Sequence, residues 1–163
     1  MVRTINDFIE RWKEESDNTL KVINNLTDES LSKSVPGTRT LGRLANHLVE
    51  TLSEFPHKLG LPIEEEFITH KSVAELTLAY QIASDRLLQA IADTWQDDAI
   101  LKEEKNMYGE PWKIGVALYY LIAHQTHHRG QMTTIMRSAG LGVPGIYGPS
   151  VEEWKAMNMA PLE

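Results

Sequence analysis

The chain has 163 residues, a net charge of −7, a pI near 5.4, 42% apolar residues and 24% charged ones. That length fits one domain burying about two-thirds of its unfolded surface, and the composition is that of an ordinary soluble globular protein. An acidic chain without a Lys/Arg cluster lacks a phosphate-binding surface, so neither nucleic acid nor an anionic membrane is expected as a partner.

Ile5, Phe8, Ile9, Trp12, Ser16, Thr19, Leu20 and Ile23 recur at three- and four-residue steps. Residues 4–25 are therefore expected to form an amphipathic helix. A second helix is expected from Thr40 to Leu59, with Leu41, Leu44, Ala45, Leu48, Leu52 and Phe55 as its stripe. Pro56, in its last turn, is placed to end or kink it. For the third, Ser72 followed by Glu75 is a capping-box pattern, and Val73, Leu76, Tyr80, Leu87, Leu88, Ile91 and Trp95 carry the stripe onward. The fourth is expected to open near Pro111, a favoured first-turn proline, and to run to Ala139. Gly140 is placed to close it in the left-handed conformation, with Arg137 near the negative end of the helix dipole.

Four long amphipathic helices imply an all-α fold, a four-helix bundle, spanning residues 1–163 as one domain. The connections, residues 26–39, 60–71 and 97–111, are longer than simple up-and-down turns, so at least one crossover is expected. Residues 141–163, rich in Gly and Pro, read as an irregular tail that Tyr147, Trp154 and several Met pack onto the bundle. No internal repeat or low-complexity segment is visible. The longest apolar stretch, Val116 to Ala123, is far too short to span a bilayer, and the opening MVRTINDFIERWKEES lacks a signal-peptide core. The expected compartment is the cytoplasm. With no cysteine, the chain has no disulfide, thiolate ligand or cysteine nucleophile, so any sulfur chemistry takes its sulfur from a cosubstrate.

Three of the six histidines fall within HQTHHRGQ, residues 124–131. His124 and His128 lie one turn apart on a helix, about 40° in rotation, on the arc of Ala117, Leu121, Gln131 and Ile135. Two readings are open: hydrogen-bonded core imidazoles, or a pair presented to one metal ion. A metal site needs at least one more ligand from another segment, and His47, in LANHLVE, offers it. His57 and His70 sit nearer loop or helix ends. His47 lies at the edge of its stripe, towards Arg43 and Thr51, which suits a site opening to a groove and suits a partly exposed histidine equally. His127, about 60° from His124, either touches such a site from outside or faces a neighbouring helix. Glu50 is a candidate general base or outer acceptor, and a solvated charge on the alternative reading. Gln131 reads as buried-facing, either supporting a metal ligand from behind or touching substrate, or else hydrogen-bonded at a helix cap or between helices.

HQTHHRGQMTTIMRSAG resembles the closing helix of the DinB-like (damage-inducible) family, whose members carry a histidine, three residues, then His-x-Gly-Gln. The tail PGIYGPSVEEW is also similar to members from Gram-positive bacteria, and LANH stands where the family places its first ligand. The resemblance implies a four-helix bundle across the whole chain. It also implies a metal held by His47, His124 and His128, with His127 a frequent companion and not a usual ligand.

Better-understood members are thiol-dependent S-transferases and isomerases that use low-molecular-weight thiols such as bacillithiol or mycothiol. The implied function is a metal-dependent transferase or hydrolase in which zinc or nickel activates a small thiol or water against an electrophilic small molecule. The alternative is a non-catalytic metal-binding module, for stress response or dimerisation. A homodimer is expected from the family's habit and from the nearly all-round apolar run Ile114 to Ala123. A monomer in which Tyr147 and Trp154 cover that run is the alternative.

Overall fold

A computed structural model describes residues 2–161; Met1 and the last two residues of the expected tail, Leu162 and Glu163, lie outside the described residues. Helix α1 spans Ile5–Asn24 and opens on a capping box in which the Thr4 hydroxyl accepts from the Asp7 amide and the Asp7 carboxylate accepts from Thr4. Helix α2 spans Leu41–Lys58, capped by Thr40, and keeps Pro56 inside its last turn. Helix α3, Val73–Thr94, begins with the expected Ser72–Glu75 box. Helix α4, Ile114–Ser138, is followed by Gly140 at φ +74°, the left-handed closure anticipated from the sequence.

The four helices pack as a bundle in which α1 and α2 each lie against α3 and α4. Helices α1 and α2 thus stand on opposite corners, as do α3 and α4. Both the α1–α2 and the α3–α4 connections cross the bundle, which accounts for their length. Each crossover carries a short 3₁₀ turn, Asp28–Ser32 in the first and Asp98–Lys102 in the second. Their leading aspartates serve the opposite unit: Asp28 accepts from the Val73 amide at the start of α3, and Asp98 from the Ile5 amide at the start of α1, both at 2.7 Å. A carboxylate there satisfies an orphan donor and complements the helix dipole.

The two crossovers match in further detail. The first residue of α2 donates to the Lys33 carbonyl and the first residue of α4 to the Glu103 carbonyl, each at 2.9 Å. Gly42 and Gly115, each second in its helix, sit against the backbones of Leu31 and Leu101; a Cβ would come within 2.9 Å and 3.3 Å of those carbonyl oxygens. The chain is therefore a helix–3₁₀–helix unit used twice, although no repeat is visible in its sequence. The matched positions are few, and one pair, Lys33 and Glu103, differs in sign.

The all-α expectation holds for the bundle, with one correction before α4. Glu104–Met107 (β1) and Glu110–Lys113 (β2) form an antiparallel hairpin, with Asn106 opposite Pro111. Pro111 is thus a strand residue and not a first-turn proline, and α4 begins three residues later. Burial of Met107, fully inside the core, fastens the hairpin to the bundle.

The tail also differs from an irregular segment, since Val151–Ala156 form a short helix, α5, with a Ser150–Glu153 capping box. Leu141, Val143 and Ile146 pack against the core. Tyr147, though 56% exposed, sets its hydroxyl against Thr126 and Arg129 of α4, while Trp154 is not among the residues packed against the core. Glu152 joins the tail to Arg137 of α4. Among the described residues no helix is long and apolar enough to cross a membrane.

Candidate metal centre

Helices α2 and α4 face each other, and a buried amide sets their register. Gln125 donates from Nε2 to the Leu48 carbonyl at 3.0 Å and to Thr51 Oγ1 at 2.9 Å, while its Oε1 accepts from the Tyr80 hydroxyl at 3.1 Å. Leu48 follows His47 and Gln125 follows His124, so this clamp lies directly behind the point where their imidazoles meet. Every polar atom of the amide is used, as its full burial requires.

The imidazoles of His47, His124 and His128 converge. His124 Nε2 is 2.9 Å from His47 Nε2 and 3.1 Å from His128 Nε2, and the three candidate ligand atoms lie within 4.8 Å of one another. Two neighbours compete for His124 Nε2, and one N–H there can serve only one of them. Burial pushes the pKa of all three rings below the usual histidine value. For His124 it reaches about 4, with the neighbouring His128 and His47 as further causes. The rings are therefore neutral near pH 7 and turn their Nε2 atoms towards a common point.

A cation at that point resolves the crowding. Tetrahedral coordination with metal–nitrogen distances of about 2.0–2.1 Å would place ligand nitrogens about 3.3 Å apart, close to the two spacings measured from His124 Nε2. The chemistry of the donor set thus fits a divalent metal ion.

The outer nitrogens are oriented from the protein side. His128 Nδ1 donates to Gln131 Oε1 at 2.7 Å, leaving Nε2 as the lone-pair nitrogen. His47 Nδ1 faces Glu50 Oε2 at 3.5 Å, and Arg43 donates to the same carboxylate oxygen at 2.8 Å. Glu50 is largely covered and paired, not the solvated charge of the alternative reading. Gln131 is exposed, not buried-facing, yet it bonds His128 through one end of its amide and His127 through the other, at 3.0 Å. His127 is exposed and stays outside the cluster, its ring centroid 5.0 Å from that of His128. His57 bonds the Ile63 carbonyl, and the backbone of His70 is held by Asn46; neither joins the site.

Three features were not anticipated from the sequence. Glu15 and Arg129 form a fully buried ion pair between α1 and α4, and the Tyr147 hydroxyl from the tail donates to Glu15 Oε2 at 2.6 Å. Beside His124 opens a hollow of about 360 Å³ lined by Phe55, Tyr108, Trp112, Tyr120, Ala123 and His127. Two of those walls, Tyr108 and Trp112, stand on the hairpin. Arg39, before α2, makes no ion pair among the described residues, and its positive charge contributes to the lowered pKa of all three histidines. The only advance signal for the buried pair was an arginine among the apolar positions of α4.

Comparison with known proteins places the chain in a family. The model of the DinB family matches residues 1–161. The YrdA protein of Bacillus subtilis (strain 168), described as uncharacterized, is 40% identical over 158 residues, 94% of each chain. A solved DinB-like protein from Bacillus cereus is 38% identical and superposes with a TM-score of 0.84, covering 90% of this chain and 100% of that one. The DinB-like protein YjoA of Bacillus subtilis shares the fold at 13% identity, with a TM-score of 0.69 over 88% of this chain and 99% of its own. The chain belongs to the DinB family.

Proposed function

We propose that this member of the DinB family is a metal-dependent enzyme, in which His47, His124 and His128 hold one divalent ion, zinc or nickel, beside the site where an electrophilic small molecule is attacked. The observation that carries the reading is the convergence of three neutral imidazoles at the edge of an open hollow. When bound by three histidines, such an ion keeps an open position and lowers the pKa of a water or thiol placed there, so a nucleophile exists at neutral pH.

The chain's own residues do the rest. Burial keeps the three rings neutral and available as donors. Gln131 and Glu50 hold the outer nitrogens of His128 and His47, which fixes ring orientation. Arg39 supplies a positive charge that favours an anionic cosubstrate such as a thiolate-bearing small acid. A low-molecular-weight thiol such as bacillithiol fits that role, and no cysteine of the chain competes with it.

Elemental analysis of untagged protein beside a His124→Ala/His128→Ala variant tests the metal site. About one ion per wild-type chain and little in the variant is the expected result; equal content in both refutes the assignment. Activity is tested by metal-dependent conjugation of monochlorobimane with bacillithiol, coenzyme A and cysteine, and by hydrolysis of simple esters and amides. Metal binding without turnover in any of these assigns the protein to the non-catalytic alternative.

A further inference from the structure

The hollow beside His124 is built from aromatic side chains of three separate elements. Phe55 comes from α2, Tyr108 and Trp112 from the hairpin, and Tyr120 from α4. Their rings meet edge to face or tilted: Phe55 and Tyr108 at 6.1 Å between centroids, Tyr108 and Trp112 at 6.4 Å, Trp112 and Tyr120 at 5.0 Å. Phe55 also lies 6.0 Å from the ring of His124, so the aromatic wall runs up to the candidate metal centre.

Folding accounts for Phe55, which lies in the core, and for Trp112, which packs against it, but not for the two tyrosines. Tyr108 is 56% exposed and Tyr120 48% exposed, so neither contributes a full measure of burial. The backbone at Tyr108 is also unfavourable. Met107 pairs with Glu110, so Tyr108 and Gly109 form a two-residue turn, with φ of +58° and +94°. Positive φ at both positions defines a type I′ turn, for which Asn-Gly or Asp-Gly is the favoured pair. A bulky tyrosine at the first position is strained there, while the glycine beside it is what the turn demands. The ring it carries is held over Phe55, with Lys58 Nζ 5.3 Å from its centroid.

We propose that this hollow is a specificity pocket for an aromatic ring of the substrate, with Tyr108 and Trp112 as the wall that selects it. Edge and face contacts from four aromatic side chains suit a flat, apolar ring, and an open hollow of this size takes one substituted ring beside the metal ligands. The proposal rests on the metal-site reading above for the reacting end of the substrate, which is thus an aryl-bearing electrophile. The recognition of the ring rests on the pocket alone.

Titration calorimetry of zinc-loaded protein with acetohydroxamate and benzohydroxamate separates these parts, since the two probes share a chelating head and differ in the ring. Benzohydroxamate is expected to bind wild-type protein at least roughly tenfold more tightly, and the preference to fall below about threefold in Tyr108→Asn and Trp112→Ala, with acetohydroxamate binding unchanged. Tyr108→Asn installs the favoured Asn-Gly turn, so its thermal midpoint is expected to hold or rise, which distinguishes loss of the wall from loss of the fold. Measurable but equal affinity for both probes in the wild type, or a preference that survives in both variants, overturns the pocket. A second arm uses metal-free protein and benzamide, read by saturation-transfer NMR. Transfer to the ring protons in the wild type and its loss in Tyr108→Asn supports the pocket even if neither hydroxamate binds, an outcome that condemns the metal reading alone. Equal transfer in wild type and variant overturns the pocket.

Discussion

Replacing Arg129 by Met tests whether the buried charges of the core act as one unit. Arg129 is 2% exposed and Glu15 0%, so neither is stabilised by solvent. The guanidinium bonds the Glu15 carboxylate, the Glu15 carbonyl at 3.0 Å, Thr19 Oγ1 at 2.9 Å and Thr126 Oγ1 at 3.1 Å. Methionine fills similar volume but leaves the carboxylate facing only the Tyr147 and Thr126 hydroxyls and Arg11, whose Nη2 lies 2.8 Å from Oε1 without hydrogen-bond geometry and is half exposed. Breaking a buried pair from one side costs about 3–5 kcal/mol, because the remaining charge is compensated only in part, here by the half-exposed Arg11. In a chain of this length that lowers the melting midpoint by roughly 6–20 °C. Adding Glu15→Gln removes the stranded charge, so the double variant is expected to regain about 1–3 kcal/mol over Arg129→Met. Urea denaturation of the four proteins of the cycle measures this. A cost below about 1 kcal/mol for Arg129→Met, or a double variant whose loss equals the sum of the singles, refutes the reasoning.

Other predictions follow from the same contacts. Gly130 has nothing within 4 Å of where a Cβ would stand, so Gly130→Ala is expected to raise stability by about 0.5–1 kcal/mol through helix propensity; a loss on urea denaturation contradicts this. Gln125→Leu breaks the clamp behind His47 and His124, costing about 1–3 kcal/mol and weakening zinc binding roughly tenfold in a chelator competition; unchanged affinity in a folded variant rules out the clamp. In metal-free protein, burial lowers the three site histidines below their ordinary 6.5, His124 to about 4. The unfolded chain then takes up protons first, so stability is full above about pH 6.5 and falls as pH drops towards 4. A His47→Gln/His124→Gln/His128→Gln variant is expected to show a shallower fall, and an equal slope in urea midpoints refutes the coupling. Val116 and Tyr119 leave an apolar strip of α4 exposed, on which we propose the homodimer forms; sedimentation equilibrium giving a constant mass of 18.5 kDa at rising concentration refutes it.

The sequence alone was enough for whatever depends on neighbours a few residues away. The helical stripes, the Ser72–Glu75 box, the closure at Gly140 and the His124–His128 pair all follow from a 3.6-residue period and from local capping bonds. His47 required more, since spacing within α2 left it open between ligand and partly exposed residue, and resemblance to the family supplied the link. Tertiary structure decided the remainder. Glu15 sits in a run of charged residues where nothing local marks it for burial; its burial depends on an arginine 114 positions away. The crossing of both long connections follows from which helices share corners, which no helix periodicity encodes. The hairpin escaped notice because its strands are short and polar, and because Tyr-Gly stands where Asn-Gly would have announced the turn. That substitution, unfavourable locally, brings Tyr108 over Phe55 and makes a wall of four aromatic rings from residues between 55 and 120. Local chemistry could announce the histidines, but only the packing of α2, α4 and the hairpin could place a pocket beside them.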